Sequence, residues 1–333
     1  MESFNTSKEH LKSLDVLAQN VITKFGLSGN SRIQLINYSE NITYKVQNSD
    51  NGEIYALRVH RPEYHSLEAI ESELIWMLAV SKETDVLVSK PLICMDGTMI
   101  QIGSAEGVTT DRYCVMFHWI NGEFPNEENL SSVFILLGEI TAKMHAHSRS
   151  WTPPRKFIRH SWDLESIFGI NPIWGHWQDA IGLTKDGFNN LSKLETTLKN
   201  KLNLFEDTRD RIGLIHADLS LNNIIMNNNG PNVIDFDDCG FSWYLYDFAT
   251  AVTLIEDRKD MDELIASWVE GYRTIHPLSI EEEKEIPTFI LLRRLLQTAW
   301  FASHNDTNLA QTLAEDYTNG SCALAEDYLT KYG

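Results

Sequence analysis

Leu11, Leu14, Leu17, Ala18, Val21 and Ile22 fall on one stripe at helical spacing, which predicts an amphipathic helix over 7–25. Gly26 and Gly29 follow and stop it. The pattern then shortens to strand-like runs at 33–36, 42–47 and 54–60, with another at 113–119. Asn48 through Gly52 is strong turn chemistry and joins the second and third runs as a hairpin. Between the third and fourth runs, Ile70, Leu74, Met77 and Leu78 mark one face of a helix over 66–80. Beyond Gly122 the period is mostly helical. Val133, Phe134, Leu137, Ile140 and Met144 set a helix over 130–145, a second spans 191–204, and a long one lies within 279–304. The stretch 161–177, with Pro172 and Gly175 among its tryptophans, reads as an irregular packed connection. The class is α+β, with a β-rich unit at 1–119 and a helical unit at 120–333. Clefts at such boundaries are favoured ligand sites.

Length and composition narrow the function. A chain of 333 residues with 43% apolar positions suits about two folded domains of roughly 150 residues each. No apolar run is long enough to span a bilayer and the N-terminus lacks the apolar core of a signal peptide, so a cytoplasmic protein with no membrane partner is expected. The formal charge of −19 repels phosphate backbones and excludes nucleic acid as a partner. Cys94, Cys114, Cys239 and Cys322 are scattered without a C-x-x-C pair, which suits free thiols rather than zinc or a disulfide framework. His145 and His147 are two apart on a helix and face opposite ways, so they do not share a metal.

Chemistry concentrates in 214–252. Two short apolar runs, 224–226 and 232–234, flank Asn227-Asn228-Asn229-Gly230-Pro231, a turn sequence that predicts a β-hairpin. Closed about Asn229, it sets Ile224 opposite Ile234 and, one pair outward, Asn223 opposite Asp235. Side chains so opposed lie roughly 5 Å apart on one face. An amide oxygen beside a carboxylate is a ligand set for magnesium, which favours hard oxygen donors and phosphate oxygens. If the strand continues, Asp237 points to the same side as Asp235. Asp218, in the loop that feeds the hairpin, overhangs the same place.

These residues resemble the aminoglycoside phosphotransferase and choline kinase superfamily. The H-x-D-x-x-x-x-N signature is met by His216, Asp218 and Asn223, and the following apolar-Asp element with its later glycine by Ile234, Asp235 and Gly240. The resemblance implies a bilobal, protein-kinase-like fold, with a small antiparallel-sheet N-lobe carrying one main helix and a larger helical C-lobe. It also implies ATP and Mg2+ as cofactors. Asp218 would then orient the acceptor hydroxyl and take its proton. Asn223 and Asp235 would hold magnesium, His216 would be structural in the catalytic loop, and Asp247 would brace that loop. In the N-lobe, Ser39 and Asn41 fall where the family places its phosphate-covering loop. Arg58 stands at the position of the family's phosphate-gripping lysine; Glu73, with Glu71 as rival, matches its partner carboxylate. Met116, Phe117 and Trp119 would line the adenine pocket. Arg58 through Pro62 and Leu292 through Leu296 look like the branch near homoserine kinase type II and the bacterial stress-response kinase.

The acceptor is expected to be a small molecule bearing a hydroxyl: an amino alcohol, a homoserine-like amino acid or an aminoglycoside. Asp238 and Trp162 would suit an ammonium group, whereas Arg293, or its neighbour Arg294, would suit a carboxylate. A nucleotide-binding pseudokinase sensor and a stress-response protein kinase remain as alternatives. The ten or so residues between Asp235 and the next helix leave little room for the activation segment of a protein kinase. A monomer or homodimer is expected.

Overall fold

The computed structural model describes residues 8–38, 41–205 and 209–332. Ser39 therefore lies outside the described residues. The chain packs as two compact units: Met1–Lys82, Leu87–Gly122 and Pro153–Ile158 form the first, and Glu83–Val86, Glu123–Thr152 and Arg159–Gly333 the second. The first unit thus runs a little beyond the expected division at 119/120, and a later segment returns to it.

In the first unit, helix α1 (Lys8–Val21) ends in a turn of 3₁₀-helix, Ile22–Phe25, and Gly26 closes it at φ 81°. That left-handed conformation is one that glycine adopts at no steric cost. Strands β1 (Arg32–Tyr38), β2 (Ile42–Gln47) and β3 (Ile54–Val59) follow. Helix α2 (Leu67–Glu83), the short β4 (Leu87–Val88), β5 (Ile100–Gly103) and β6 (Arg112–His118) complete the unit. The sheet is antiparallel in the order β1-β2-β3-β6-β5. Alternation decides its inward face: Ile42, Tyr44 and Val46 of β2 are buried with Leu14, Leu17, Ala18 and Val21 of α1. Each such fully buried aliphatic side chain stabilises the fold by about 1.5–3 kcal/mol. The edge strand β1 slips register between Leu35 and Asn37, a bulge that twists an otherwise open edge.

The second unit holds α3 (Leu130–Ser150), α4 (Leu164–Phe168), α5 (Lys185–Phe205), β7 (Ile212–Ile215), β8 (Ile224–Asn227), β9 (Gly230–Val233) and β10 (Gly240–Trp243). Helices α6 (Tyr246–Ala251), α7 (Met261–Arg273), α8 (Ile280–Ser303) and α9 (Asn308–Tyr332) follow. A capping box starts α8: Ser279 Oγ accepts the Glu282 N–H at 3.1 Å while the Glu282 carboxylate accepts the Ser279 N–H at 2.9 Å. Helices α3 and α7 touch backbone to backbone. A Cβ at Gly138 would lie 2.0 Å from the Trp268 carbonyl oxygen, and one at Gly271 would lie 1.9 Å from that of Ile135. Two glycines thus set how closely these helices approach. The long helices 130–150 and 280–303 match the sequence pattern; α9 and β5, polar or short, were not anticipated, nor was α7, although it carries Leu264, Trp268 and Tyr272 at helical spacing.

Candidate active site

Strand β7 pairs antiparallel with β10, setting Ile215 opposite Gly240, and then delivers the chain into the loop 216–223. Helix α6 holds that loop. Asp247, fully buried near its start, accepts the backbone N–H of Ala217 at Oδ1 (2.6 Å) and of His216 at Oδ2 (3.2 Å). Thr250 Oγ1, one turn on, accepts the Leu219 N–H at 3.0 Å. Between the residues so held, Ala217 sits at φ 63°. A left-handed alanine costs about 1–2 kcal/mol, and the charge-assisted bonds to Asp247 offset it. The brace expected of Asp247 is therefore made by both of its carboxylate oxygens.

A deeper layer orients Asp247 in turn. His145 of α3 places Nε2 3.0 Å from Asp247 Oδ2, and its Nδ1 lies 3.0 Å from the Tyr272 hydroxyl of α7. Burial lowers the His145 pKa more than the neighbouring Asp247 raises it, so the ring is neutral. A neutral ring then donates from Nε2 to the carboxylate and accepts from the Tyr272 hydroxyl, whose own pKa burial pushes up to about 12. The close approach at Gly138 and Gly271 brings these two helices near enough for that bond. Sequence reasoning missed His145 and Tyr272 in this role.

His216 ties the loop to the hairpin. Its Nε2 lies 3.1 Å from the Ile234 carbonyl oxygen and its Nδ1 accepts the Asp218 N–H at 3.3 Å, while the ring packs on Phe236. Asp218 is gripped at both oxygens. Asn223 Nδ2 donates to Oδ2 at 2.8 Å and to the Asp218 carbonyl at 2.8 Å, and Arg293 Nη2 reaches Oδ1 at 3.3 Å. Burial pushes the Asp218 pKa up; Arg293 and His216 pull it down, and the nearby Asp235 charge raises it again, with a net rise. Asp218, Asn223 and Asp235 therefore converge.

The way they converge corrects the expected register. The hairpin closes on Asn228-Asn229, with Asn227 opposite Gly230, Met226 opposite Pro231, Ile225 opposite Asn232 and Ile224 opposite Val233. Asn227 Oδ1 accepts the Asn229 N–H at 2.9 Å, and Gly230 takes φ 108°, so the turn is one residue tighter than its composition suggested. Asn223 therefore faces Ile234, whose N–H it accepts at 2.9 Å, and Asp235 lies one position further along. Asp235 itself sits at φ 61°, which ends the strand. Strand alternation thus does not carry to Asp237, and 236–239 is a turn closed by Cys239 N–H on the Phe236 carbonyl at 3.0 Å. Asp237 and Asp238 are buried there, their backbone carbonyls accepting from Arg159 and from Trp162 Nε1.

Trp162 is fully buried, edge-on to Trp174 and stacked on Tyr246, so the direct substrate contact expected of it gives way to support of the Asp238 backbone. Arg293 is also buried, and Nε, Nη1 and Nη2 each have a protein partner: Thr253, Tyr246 and Asp218. Its neighbour Arg294 is no surface residue either. It pairs with Glu256 at 2.7 Å and lies over the Tyr317 ring, tying α8 to α9.

In the first unit, Arg58 of β3 donates from Nη1 to Glu73 Oε1 at 2.7 Å, with Glu73 fully buried and Glu71 exposed, which decides between the two glutamates. Phe117 lies under the guanidinium at 4.9 Å. Asn41 Oδ1 accepts the Arg61 N–H at 3.3 Å. Met116 and Phe117 are interior positions of β6. The Met116 carbonyl accepts from Leu92 at 2.6 Å, and Trp119 N–H donates to Ile54 at 3.2 Å.

Known proteins are similar to this chain in sequence and fold. Residues 33–282 match the phosphotransferase enzyme family. The solved structure of a microcompartment-associated aminopropanol kinase is 41% identical, covers 96% of this chain and 98% of its own, and superposes with a TM-score of 0.88. A structure of the amicoumacin kinase hAmiN in complex with AMP-PNP, Ca2+ and Ami is 20% identical with a TM-score of 0.76, covering 97% of this chain and 95% of its own. Amicoumacin kinase of Bacillus subtilis (strain 168) is 24% identical over 294 residues, 84% of this chain and 82% of that protein. The bilobal kinase-like fold and the small-molecule kinase activity implied by the sequence follow from these likenesses, and no described helix is long and apolar enough to cross a membrane. The chain belongs to the phosphotransferase enzyme family.

Proposed function

We propose that this kinase moves the γ-phosphoryl group of ATP to the hydroxyl of a small amino alcohol, with magnesium as the metal. The observation that carries the reading is the bond from Asn223 Nδ2 to Asp218 Oδ2, 2.8 Å long. It commits the amide nitrogen to the base and leaves the amide oxygen as the donor for a cation. With Asp235 beside it, raising the Asp218 pKa by its charge, the site offers an amide and a carboxylate to a hard divalent ion. Asn223 and Asp235 would hold magnesium, whose charge would offset that of the phosphates.

The chain's own residues do the rest. Asp218 hydrogen-bonds the acceptor hydroxyl, aligns it on the γ-phosphorus and takes its proton as the new O–P bond forms and the β,γ-bridge bond breaks. Asp247, His145 and Thr250 keep the loop rigid, so that this alignment is set before substrate arrives. Arg58, fixed by Glu73, supplies a cation for the nucleotide phosphates. The acceptor class is supported by the 41% identity to an aminopropanol kinase. It is supported too by Arg293, each of whose three side-chain nitrogens already bonds a protein group, which places it poorly for the carboxylate of an amino-acid acceptor. Asp238 is the acid we assign to the ammonium group.

The test is a panel of aminopropanol, ethanolamine, choline, homoserine and an aminoglycoside, each with ATP and magnesium and followed by phosphorus NMR of the product. Phosphorylation of the primary amino alcohols ahead of the others is expected. Preference for homoserine or the aminoglycoside would overturn the acceptor assignment.

A further inference from the structure

Two consecutive arginines of α8 are buried and paired with carboxylates, yet their geometry differs. Arg294 closes on Glu256 at 2.7 Å, as a pair that serves only to hold helices together does. Arg293 stays 3.3 Å from Asp218 Oδ1. What keeps it there is a scaffold of its own: Nε on Thr253 Oγ1 at 3.3 Å, Nη1 on the Tyr246 hydroxyl at 3.3 Å, and the guanidinium plane over Trp174 at 4.8 Å. The planar fork lets one side chain meet all of these at once, which an ammonium group cannot do.

The two oxygens of Asp218 are consequently unlike. Oδ2 is held firmly by Asn223 at 2.8 Å, whereas Oδ1 is oriented by a cation that does not close on it. A carboxylate fixed in this way cannot rotate about its Cβ–Cγ bond, and one lone pair of Oδ1 faces away from the arginine. We infer that Arg293 is a positioning residue: its guanidinium, anchored by Thr253, Tyr246 and Trp174, aims Asp218 Oδ1 at the acceptor hydroxyl without touching the acceptor. The inference rests on the reading of Asp218 as the group that takes the hydroxyl proton.

Steady-state kinetics of Arg293→Ala, Arg293→Lys and Asp218→Asn test it, with thermal unfolding as the check on folding. For Arg293→Ala, kcat is expected to fall about 100-fold while KM for aminopropanol and for ATP stays within about twofold, because a misaimed base slows transfer without loosening binding. Low-millimolar guanidinium is expected to recover at least about tenfold of that loss by refilling the vacated space over Trp174, and tetramethylammonium is expected not to. A rise in acceptor KM with kcat preserved overturns the inference, since Arg293 would then be touching the acceptor. So does a kcat loss in folded protein that guanidinium leaves unchanged. Should Arg293→Ala fail to fold, Arg293→Lys decides: a kcat about tenfold lower with unchanged KM supports the role, and an unchanged kcat overturns it. Full turnover by Asp218→Asn overturns the reading of the base itself. An inactive Asp218→Asn beside a fully active Arg293→Ala overturns the positioning role alone.

Discussion

Asp247 Oδ1 accepts the backbone N–H of Ala217 at 2.6 Å, and Ala217 is in the left-handed conformation. The unfavourable backbone and the short bond belong together, because the bond holds in place a conformation that alanine otherwise avoids. Asp247→Asn replaces one acceptor oxygen with a donor that must face another donor. The variant is expected to lose about 2 kcal/mol of stability and about 100-fold in kcat. Urea unfolding and initial rates check the two effects, and an active, equally stable variant would show that the loop holds its shape without this carboxylate.

The elements that position Asp247 differ in how far the sequence announced them. Local chemistry revealed the hairpin, because five consecutive turn residues between apolar runs have few other uses. It did not reveal the register, which turns on whether Asn227 opens the loop or ends the strand. Its side chain closes a turn on Asn229, and that decides the matter. The pairing of His145 with Asp247 spans 102 residues and that with Tyr272 spans 127, so no local pattern carries them. A buried histidine on an apolar helix face reads as ordinary core until its partners are known. Arg294 misleads for a similar reason: its partner Glu256 lies 38 residues away in a stretch with no distinctive pattern.

The neutral state of His145 gives stability a pH dependence. Its folded pKa is lowered from the ordinary 6.5, chiefly by burial and against the pull of Asp247, while Arg149 and His276 add to the lowering. Below about pH 6.5 the unfolded chain binds a proton that the folded one does not, so stability falls as pH falls, by at most about 1.4 kcal/mol per pH unit from this group. His147, also lowered by burial and opposed by Glu83, acts in the same direction. His145→Gln keeps a donor toward Asp247 without titrating. Urea unfolding at about pH 8 and about pH 5.5 is expected to show a smaller difference for the variant than for the parent protein. An unchanged difference would mean that other groups account for the acid sensitivity.

Gly138 and Gly271 set the spacing of α3 and α7, and through it the reach from His145 to Tyr272. A methyl group at Gly271 would meet the Ile135 carbonyl at 1.9 Å and push the helices apart along their whole contact. Gly271→Ala is expected to cost about 3 kcal/mol, at the upper end of overpacking penalties because the obstacle is backbone rather than a mobile side chain. By contrast, a Cβ at Gly52 has nothing within 4 Å to meet, although its φ of 76° still disfavours a side chain. Gly52→Ala should therefore cost only the backbone penalty of about 1 kcal/mol, and thermal unfolding of the two variants separates close packing from conformational strain.

Arg58 and Glu73 form a buried ion pair within the first unit, 2.7 Å long with Glu73 fully buried. A lysine at this place would present a compact charge, whereas the guanidinium here lies on the Phe117 ring and uses one nitrogen for Glu73. Glu73→Gln takes a buried counter-charge away from the Arg58 cation, at a cost of about 3 kcal/mol. The freed guanidinium would also leave its set position, so KM for ATP is expected to rise about tenfold while KM for the acceptor stays unchanged. Arg58→Lys keeps the charge and the pair but loses the planar contact with Phe117, so it should fall between the parent and Glu73→Gln in both stability and ATP affinity. Calorimetric titration with AMP-PNP orders the three proteins. An Arg58→Lys variant that bound nucleotide worse than Glu73→Gln would mean that the shape of the guanidinium matters more than its anchoring.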